Sequence, residues 1–554
     1  MIAPIRDVDH RTAKYFKRGV LLASEGQVRR ALKYFDKVLS ITPTHLDALN
    51  NRGDCLAVLG RHEQAIACYD KLLAARPEDI HARSNRASVL KSAGRLGEAA
   101  ADCDIVLGIA PDYVQALVNR GNAHIDLGRA MDGIRDLRRA SSLQPFDTNI
   151  RTCLIFALNF DTEATTESLQ AERARWAVNS GLLASTKHLN EPSVCRKIRI
   201  GYVSSHFRHQ AATYAFGGAI VHRDAEQFEI TCYSDTVEED SVSLHLRNSA
   251  DKWRNTIDLS DDQLASLIRN DQIDILVDLV GHMKGNRLRV FAMKPAPIQV
   301  TAWGEPTGTG LKAIDYLLAD PVLVPMHERT LLAEQVADLP NFLGFWSPDP
   351  LPEPGPLPAI ERGYVTFGSF NRFAKITDPV LHHWSAILRA VPNSRIILKD
   401  RASQWQRNVI TDAFAKEGIS ADRVTLLGHA CREEHFAAYR EIDIALDPFP
   451  HGGGMTTLDA LWMGVPVVTA PGQTISSRLA AATLTAAGLT EFIATDYRRY
   501  VELAVNKTSD LAALALLRSS LRNHIANTDF GDPVRYARTV EQHYRSMWQK
   551  WCRS

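Results

Sequence analysis

The sequence predicts an α-helical solenoid followed by two α/β halves, each built on a parallel sheet. Three observations carry this. Glycines and prolines recur at a spacing of 34 residues through the first third of the chain. Two successive series of short apolar runs then alternate with helical patterns, the signature of buried parallel strands covered on both faces. Late in the second series a glycine-rich loop separates a strand from a helix, in the stretch Asp447–Gly472 (DPFPHGGGMTTLDALWMGVPVVTAPG).

The totals bound the answer. A chain of 554 residues has room for three or four domains of about 150 residues each. The formal net charge is zero and 45% of residues are hydrophobic, which points away from nucleic acid as a partner and away from disorder. Eight cysteines are scattered without a CxxC pair, so neither a zinc site nor a disulfide framework is indicated. Free thiols fit a reducing cytosol, and a cytoplasmic location is expected. The opening MIAPIRDVDHRTAKYF has no apolar core of signal-peptide length, and no run approaches the ~20 apolar residues of a membrane span.

The repeats come first. Gly26, Gly60, Gly94 and Gly128 share one register; Pro43, Pro77, Pro111 and Pro145 share another. Ala31, Ala65 and Ala99 hold a third, with Gly133 in the fourth copy. Four units result, 13–46, 47–80, 81–114 and 115–148. Each carries two helical patterns split by a glycine turn and ended by a proline, which cannot continue a helix. The pattern resembles the tetratricopeptide repeat. Each unit buries its apolar face only against its neighbours, so the four should stack. Gly53 and Ala87 fall where two helices cross closely. Asn51, Asn85 and Asn119 occupy one repeat position, followed by Arg52, Arg86 and Arg120. Carboxamides at that position would form a ladder on the concave face able to hold a protein acceptor's backbone; the plainer alternative is a row of solvated polar residues. Tyr34 and Tyr69 serve either a homodimer face or the interior of their own repeats.

Residues 149–195 form a helical linker, with a helix over Thr166–Asn179 and an irregular polar segment over Ser180–Val194. The first α/β half spans 196–347, with strands at Lys197–Ser204, Phe228–Ser234, Ile273–Val280 and Ile298–Trp303 and a helix at Ser260–Asn270. A proline-rich hinge covers 348–361. The second half spans 362–530, with strands at Tyr364–Phe370, Ser394–Lys399, Arg423–Leu427, Ile442–Leu446 and Val465–Thr469. A final helix occupies 531–554. Ligands in such sheets bind beyond the carboxyl ends of the strands, and polar loops lie at five of those ends: Ser205–Gln210, Gly281–Gly285, Gly304–Gly310, Asn371–Lys375 and Gly428–His435.

The glycine loop, which follows the strand Ile442–Leu446, is a sharper signal than these five. It is read as running from Gly452 to Thr457, with a short helix over Leu458–Met463. A helix N-terminus behind a loop without side chains is an anion site, and the Thr456 and Thr457 hydroxyls add donors. Asp459 is read in the first helical turn, where its charge suits the dipole; it would repel a phosphate, so a sugar hydroxyl suits it better. A tight turn with a threonine cap is the plainer alternative. No cluster has the acidic spacing of a divalent-metal site. A diphosphate leaving group would then need a lysine and a helix N-terminus, and Lys375 with the 452–457 loop offers that pair.

The repeats followed by RIGYVSSHF, ILVDLVGHMKGNR, PAPIQVTAWG, FGSFNRFAKI, REEHF, LDPFP, GGGMTTLDALWMGVPVVT and SSRLAAA resemble the O-GlcNAc transferase (SPINDLY-like) family, glycosyltransferase family 41. The resemblance covers nearly the whole chain. It implies a GT-B fold of two Rossmann-like domains and an inverting, metal-independent transfer of a sugar from a nucleotide donor to Ser or Thr of a protein presented by the repeats. Lys375 matches the lysine that meets the donor diphosphate. Gly453, Gly454, Thr456 and Thr457 fall in the loop at the same phosphates, Asp459 matches the carboxylate on the ribose, and Ala430, Arg432 and His435 match the segment that holds the base. His282 resembles a histidine of the plant relatives. By analogy the resemblance implies a cytoplasmic bacterial enzyme that modifies surface-appendage proteins such as flagellin.

The chain departs from the family pattern in several places. Where relatives carry a histidine after the first strand, this chain has Gln210, with His209 one residue early. A neutral amide cannot act as a general base, so the proton acceptor is His209, another group or water. Gly454 and Met455 replace a histidine and a threonine of the animal enzyme, Arg372 adds a charge before the lysine, and Glu305 and Thr307 stand in a loop that usually carries Tyr and Gly; a carboxylate there would shape the sugar pocket or the acceptor site. The expected function is a protein O-glycosyltransferase using UDP-N-acetylglucosamine. The alternatives are transfer of fucose from GDP-fucose, or a repeat scaffold that binds nucleotide sugar with little turnover.

Overall fold

In the computed structural model, residues 5–181, 187–400, 404–428 and 430–554 are described. Part of the expected linker segment and His429 of the Gly428–His435 loop lie outside them, as do the first residues of the N-terminal stretch. The chain divides into two units, one holding the repeats as far as Pro145 with a short segment ending at Gln406, and the other holding the remainder from Phe146 to the C-terminus.

Among the described residues as far as Pro145 there are eight helices, in pairs Ile5–Ser24 with Val28–Ile41, Leu46–Val58 with His62–Ala75, Ile80–Ser92 with Leu96–Ile109, and Val114–Asp126 with Ala130–Leu143. Gly26, Gly60, Gly94 and Gly128 all take positive φ between the paired helices, a backbone state that costs glycine nothing. Close crossing accounts for Gly53, where an added Cβ would lie 2.8 Å from the Tyr69 ring. Tyr69 is fully buried and its hydroxyl donates to Asp54 (2.5 Å). That excludes it from an outer face: of the two readings for this tyrosine, repeat interior holds.

The asparagine ladder turns inward. Asn51 Nδ2 donates to the Asp47 carbonyl (2.7 Å), Asn85 Nδ2 to Asp54 Oδ1 (3.3 Å), and Asn119 Nδ2 to the Ser84 carbonyl (3.2 Å). Asn119 is buried. The Asn85 and Asn119 donors tie neighbouring helices together, whereas the Asn51 bond stays within its own helix, so two of the three carboxamide donors are engaged between helices. The arginines that follow form a second regular device. Each pairs with a residue 16 positions on and another 16 positions back: Arg86 with Asp102 (2.7 Å) and Asp70 (2.6 Å), Arg120 with Asp136 (2.7 Å) and Asp104 (2.7 Å), and Arg52 with Cys68 (3.0 Å) and Asp36 (2.8 Å).

The second unit opens with two helices, Thr148–Leu158 and Thr166–Asn179. The first of these was not legible from the repeat register, although Asp147 caps it through the N–H groups of Asn149 and Ile150. Two parallel sheets follow. The first has strands β1 Ile198–Ser204, β2 Phe228–Ser234, β3 Lys252–Asn255, β4 Ile275–Asp278, β5 Ile298–Thr301, β6 Tyr316–Ala319 and β7 Gln335–Asp338, in the order β3-β2-β1-β4-β5-β6-β7. The second has β8 Thr366–Ser369, β9 Arg395–Lys399, β10 Val424–Leu427, β11 Ile444–Leu446 and β12 Val467–Val468, in the order β10-β9-β8-β11-β12. Strands β3, β6 and β7 are additions to the expected set. Edge strands β3 (KWRN) and β7 (QVAD) are short and half-exposed, so they lack the apolar run by which the central strands announce themselves.

The proline-rich stretch between the sheets ends in a short helix, Pro358–Arg362. The last helix, Pro533–Arg553, returns to the first sheet: Trp303 Nε1–H donates to the Tyr536 hydroxyl (2.8 Å), and the helix packs on Ala211–Val221. Among the described residues no helix is long and apolar enough to cross a membrane.

Candidate active site

The glycine loop is held by Asp447, at the carboxyl end of β11. Its Oδ1 accepts the Gly453 N–H (2.6 Å) and its Oδ2 accepts the Thr469 hydroxyl (2.7 Å). A Cβ on Gly453 would stand 2.5 Å from Thr456 Oγ1 and 2.9 Å from Asp447 Oδ1, so the loop closes only around glycine. The helix starts earlier than its sequence pattern suggested, at Met455 with Gly454 as cap, and runs to Trp462. Asp459 therefore sits in the second turn, since no acidic residue occupies the first. The reason is that the glycines free the backbone to enter helix at once, ahead of the first apolar residue of the periodic run. The Thr457 hydroxyl is spent on the Gly453 carbonyl (2.9 Å) and that of Thr456 on Asn371 Oδ1 (3.0 Å). What the loop offers an anion is thus backbone N–H: those of Gly454, Met455 and Thr456 have no acceptor within the helix.

Lys375 lies at the end of a short turn after β8, and its Nζ donates to the Gly452 carbonyl (2.6 Å). Burial, then the positive charge of Arg372, pull its ammonium well below the ordinary lysine range; Asp447 opposes them. Burial pushes Asp447 up in turn. Arg372 is exposed, its guanidinium 5.4 Å over the Phe156 ring. His451 beside it is held neutral by burial, Lys375 and Arg372, and its ring lies 5.2 Å from Phe160. The linker helix Thr148–Leu158 and the residues just after it therefore wall one side of the loop.

Asp459 is 5% exposed, and its Oδ1 has no hydrogen-bond partner. Two cationic or ionisable groups flank it: Arg432 Nη2 at 3.9 Å and His435 Nε2 at 3.4 Å. Arg432 opens a helix, Arg432–Ala437, with Cys431 as its cap and Ala430 just before; its Nε and Nη2 are buried and unpartnered. Its Cζ lies 3.4 Å from the Tyr214 ring centroid, across from the first half. Lys399, the last residue of β9, donates to His435 Nδ1 (3.0 Å). Neither Lys399 nor Tyr214 was singled out from sequence. A lysine ending a buried strand (RIILK) was a usable signal for the first; nothing local signals the second.

On the opposite side, His209 is exposed. Its Nδ1 lies 2.6 Å from the Tyr214 hydroxyl and its Nε2 3.0 Å from Ser241 Oγ. Gln210 caps the helix Ala211–Val221 without a side-chain cap bond. His282 is fully buried. Its Nε2–H donates to the Thr309 carbonyl (2.8 Å), its ring meets Trp176 edge-on, and burial together with Arg173 lowers its pKa to about 3. A neutral, enclosed imidazole cannot donate a proton at neutral pH and has no open path to a substrate, which corrects its expected catalytic place. Glu305 is likewise corrected. Its carboxylate accepts the His282 N–H (2.8 Å) and pairs with fully buried Arg173 (3.3 Å), because a buried guanidinium needs a counter-charge. Thr307 Oγ1 also bonds Arg173 (2.7 Å). These two residues lock the loop to the helix Thr166–Asn179 and do not line an open pocket.

Comparison with known proteins places the site in a family. The model described as glycosyl transferase family 41 matches residues 182–346 and 359–540, and a tetratricopeptide repeat model matches 22–88. A SPINDLY protein of Arabidopsis thaliana, described as "Probable UDP-N-acetylglucosamine--peptide N-acetylglucosaminyltransferase", is 35% identical over 427 residues, 74% of this chain and 46% of its own length. A Caenorhabditis elegans UDP-N-acetylglucosamine--peptide N-acetylglucosaminyltransferase is 24% identical over 64% of this chain and 41% of its own. The chain spans about half the length, or less, of these curated relatives. A solved structure of a mutant O-GlcNAc transferase from Thermobaculum terrenum superposes with a TM-score of 0.85 at 31% identity, covering 92% of this chain and 98% of that one. The two-sheet architecture is accordingly a GT-B fold. With both sheets inside the matched region and the repeats ahead of them, the chain belongs to glycosyl transferase family 41.

Proposed function

We propose that this chain is a protein O-glycosyltransferase that moves N-acetylglucosamine from a UDP donor to a Ser or Thr hydroxyl of a protein acceptor bound by the repeats. Transfer is inverting and needs no metal or other cofactor. The observation that carries the reading is the pairing of two unspent polar surfaces on one helix. Backbone N–H groups stand unused at its N-terminus beside Lys375, and one turn further on Asp459 presents a free carboxylate oxygen between Arg432 and His435. At 1.5 Å per residue the two lie about 6 Å apart along the helix axis, a separation suited to a diphosphate and the ribose next to it.

The chemistry follows from charge. As the acceptor oxygen attacks the anomeric carbon, the bond to the diphosphate breaks and its electrons go to the leaving oxygen. Lys375 and the helix N-terminus are placed to receive that charge. The hydroxyl proton passes to His209, the exposed imidazole of the opposite half; Gln210 has no basic atom and His282 is enclosed. Free cysteines throughout the described residues support a cytoplasmic location, and the 92% coverage of this chain by the Thermobaculum terrenum match supports a bacterial source.

The test is calorimetric titration of UDP and of GDP, without metal, into wild type and Lys375→Ala. UDP binding that the substitution abolishes supports the reading. Preference for GDP turns it to fucosyl transfer, and binding of neither leaves the repeats as the functional part.

A further inference from the structure

Tyr214 touches both walls of the cleft. It lies in the first turns of the helix Ala211–Val221, in the first half. Its ring face carries the Arg432 guanidinium at 3.4 Å, from the second half. Its hydroxyl meets His209 Nδ1 at 2.6 Å. Arg432 keeps two buried nitrogens without partners and stands 3.9 Å from Asp459. A guanidinium lying flat on an aromatic ring is restricted in the plane it can adopt. A hydrogen bond to one imidazole nitrogen sets the orientation of the ring and the role of the other nitrogen. Tyr214 does both with one side chain, and its backbone is fixed as well: its carbonyl accepts the Trp346 N–H (3.2 Å).

We propose that Tyr214 is a positioning residue that couples the nucleotide side of the cleft to the acceptor side. Its ring orients Arg432 toward the donor, and its hydroxyl orients His209 toward the acceptor hydroxyl. The inference rests on the donor and acceptor sides assigned under Proposed function. It accounts for a phenol in this place: phenylalanine would serve the stack alone, and a smaller polar residue would serve the histidine alone.

The two contacts separate by substitution. Tyr214→Phe keeps the ring and removes the hydroxyl. Transfer kcat is expected to fall about tenfold, a fraction of the usual general-base contribution, while the calorimetric Kd for UDP stays within twofold. Tyr214→Leu removes the stack as well, and the UDP Kd is expected to rise about 2- to 30-fold, the span of a cation–π contact. Because the hydroxyl acts through His209, Tyr214→Phe should add no further loss in a His209→Ala background. Thermal unfolding within a few degrees of wild type shows that each variant is folded, and the isosteric Tyr214→Phe serves if the leucine variant is not. A wild-type kcat in Tyr214→Phe, or an equal loss in the His209→Ala background, overturns the proposal while leaving the donor site standing. An unchanged UDP Kd in folded Tyr214→Leu does the same. A wild type that binds neither UDP nor GDP overturns the donor reading, and this coupling with it.

Discussion

Lys399 Nζ stands 3.0 Å from His435 Nδ1, and that single bond decides which face of the imidazole meets Asp459. An ammonium has only donors, so Nδ1 is the acceptor and Nε2 carries the proton, 3.4 Å from Asp459 Oδ2. Lys399→Met keeps the apolar stem and removes the donor. The imidazole then loses its fixed tautomer, and the UDP Kd is expected to rise about 5- to 30-fold, the effect of roughly 1–2 kcal/mol from one charge-assisted bond. Calorimetry reads it; an unchanged Kd would show that His435 is oriented by its aromatic neighbours alone.

Gly453→Ala tests the loop. The new methyl would collide with Thr456 Oγ1 and Asp447 Oδ1, at 2.5 and 2.9 Å. Both atoms belong to the frame that aims the helix N-terminus, so nucleotide affinity should drop by tenfold or more. Far-ultraviolet circular dichroism should be unchanged, because the collision is local to the loop.

The Lys375 environment sets a pH limit on donor binding. Burial and Arg372 lower its pKa, so the ammonium loses its proton at lower pH than an ordinary lysine would. UDP affinity should therefore decline on the alkaline side earlier than a free lysine predicts. Arg372→Gln removes the repelling charge, raises the Lys375 pKa, and should move that decline to higher pH. Titrations of UDP across the alkaline range in both proteins measure the displacement, and coincident profiles would exclude Lys375 as the titrating group.

In the repeats, Arg86 holds buried Asp102 through two nitrogens, at 2.8 and 2.7 Å. Arg86→Ala leaves that carboxylate with Arg83 alone, at 3.4 Å. Urea unfolding of the repeat unit should show a loss of about 1–3 kcal/mol, with UDP affinity unaltered because no part of the donor site lies in this unit.

The legible and illegible features differ in physical kind. The repeat glycines were legible because positive φ admits few other residues, and the central strands because burial on both faces demands apolar runs. Strands β3 and β7 carry no such run, and the helix Thr148–Leu158 follows no repeat register. At the site, the strand, glycine loop and helix of the Asp447–Gly472 stretch were legible because they adjoin in sequence. Tyr214 was not, because what gives it meaning is Arg432, 218 positions later. The misplacement of Glu305 and His282 has the opposite origin: their neighbours in sequence suggested an open loop, whereas Arg173, from a distant helix, encloses them both.

The arginines that reach 16 positions forward and 16 back make the solenoid a ruled tape. Asp36, Asp70 and Asp104 recur at intervals of 34, as do Asp102 and Asp136 with Cys68 in the first copy, so excising or duplicating one such interval among the carboxylate clasps returns each guanidinium to an equivalent partner. Any other length would break the clasp at the splice. The reach of this arm is therefore adjustable in evolution by whole graduations, without redesign of the joints between them.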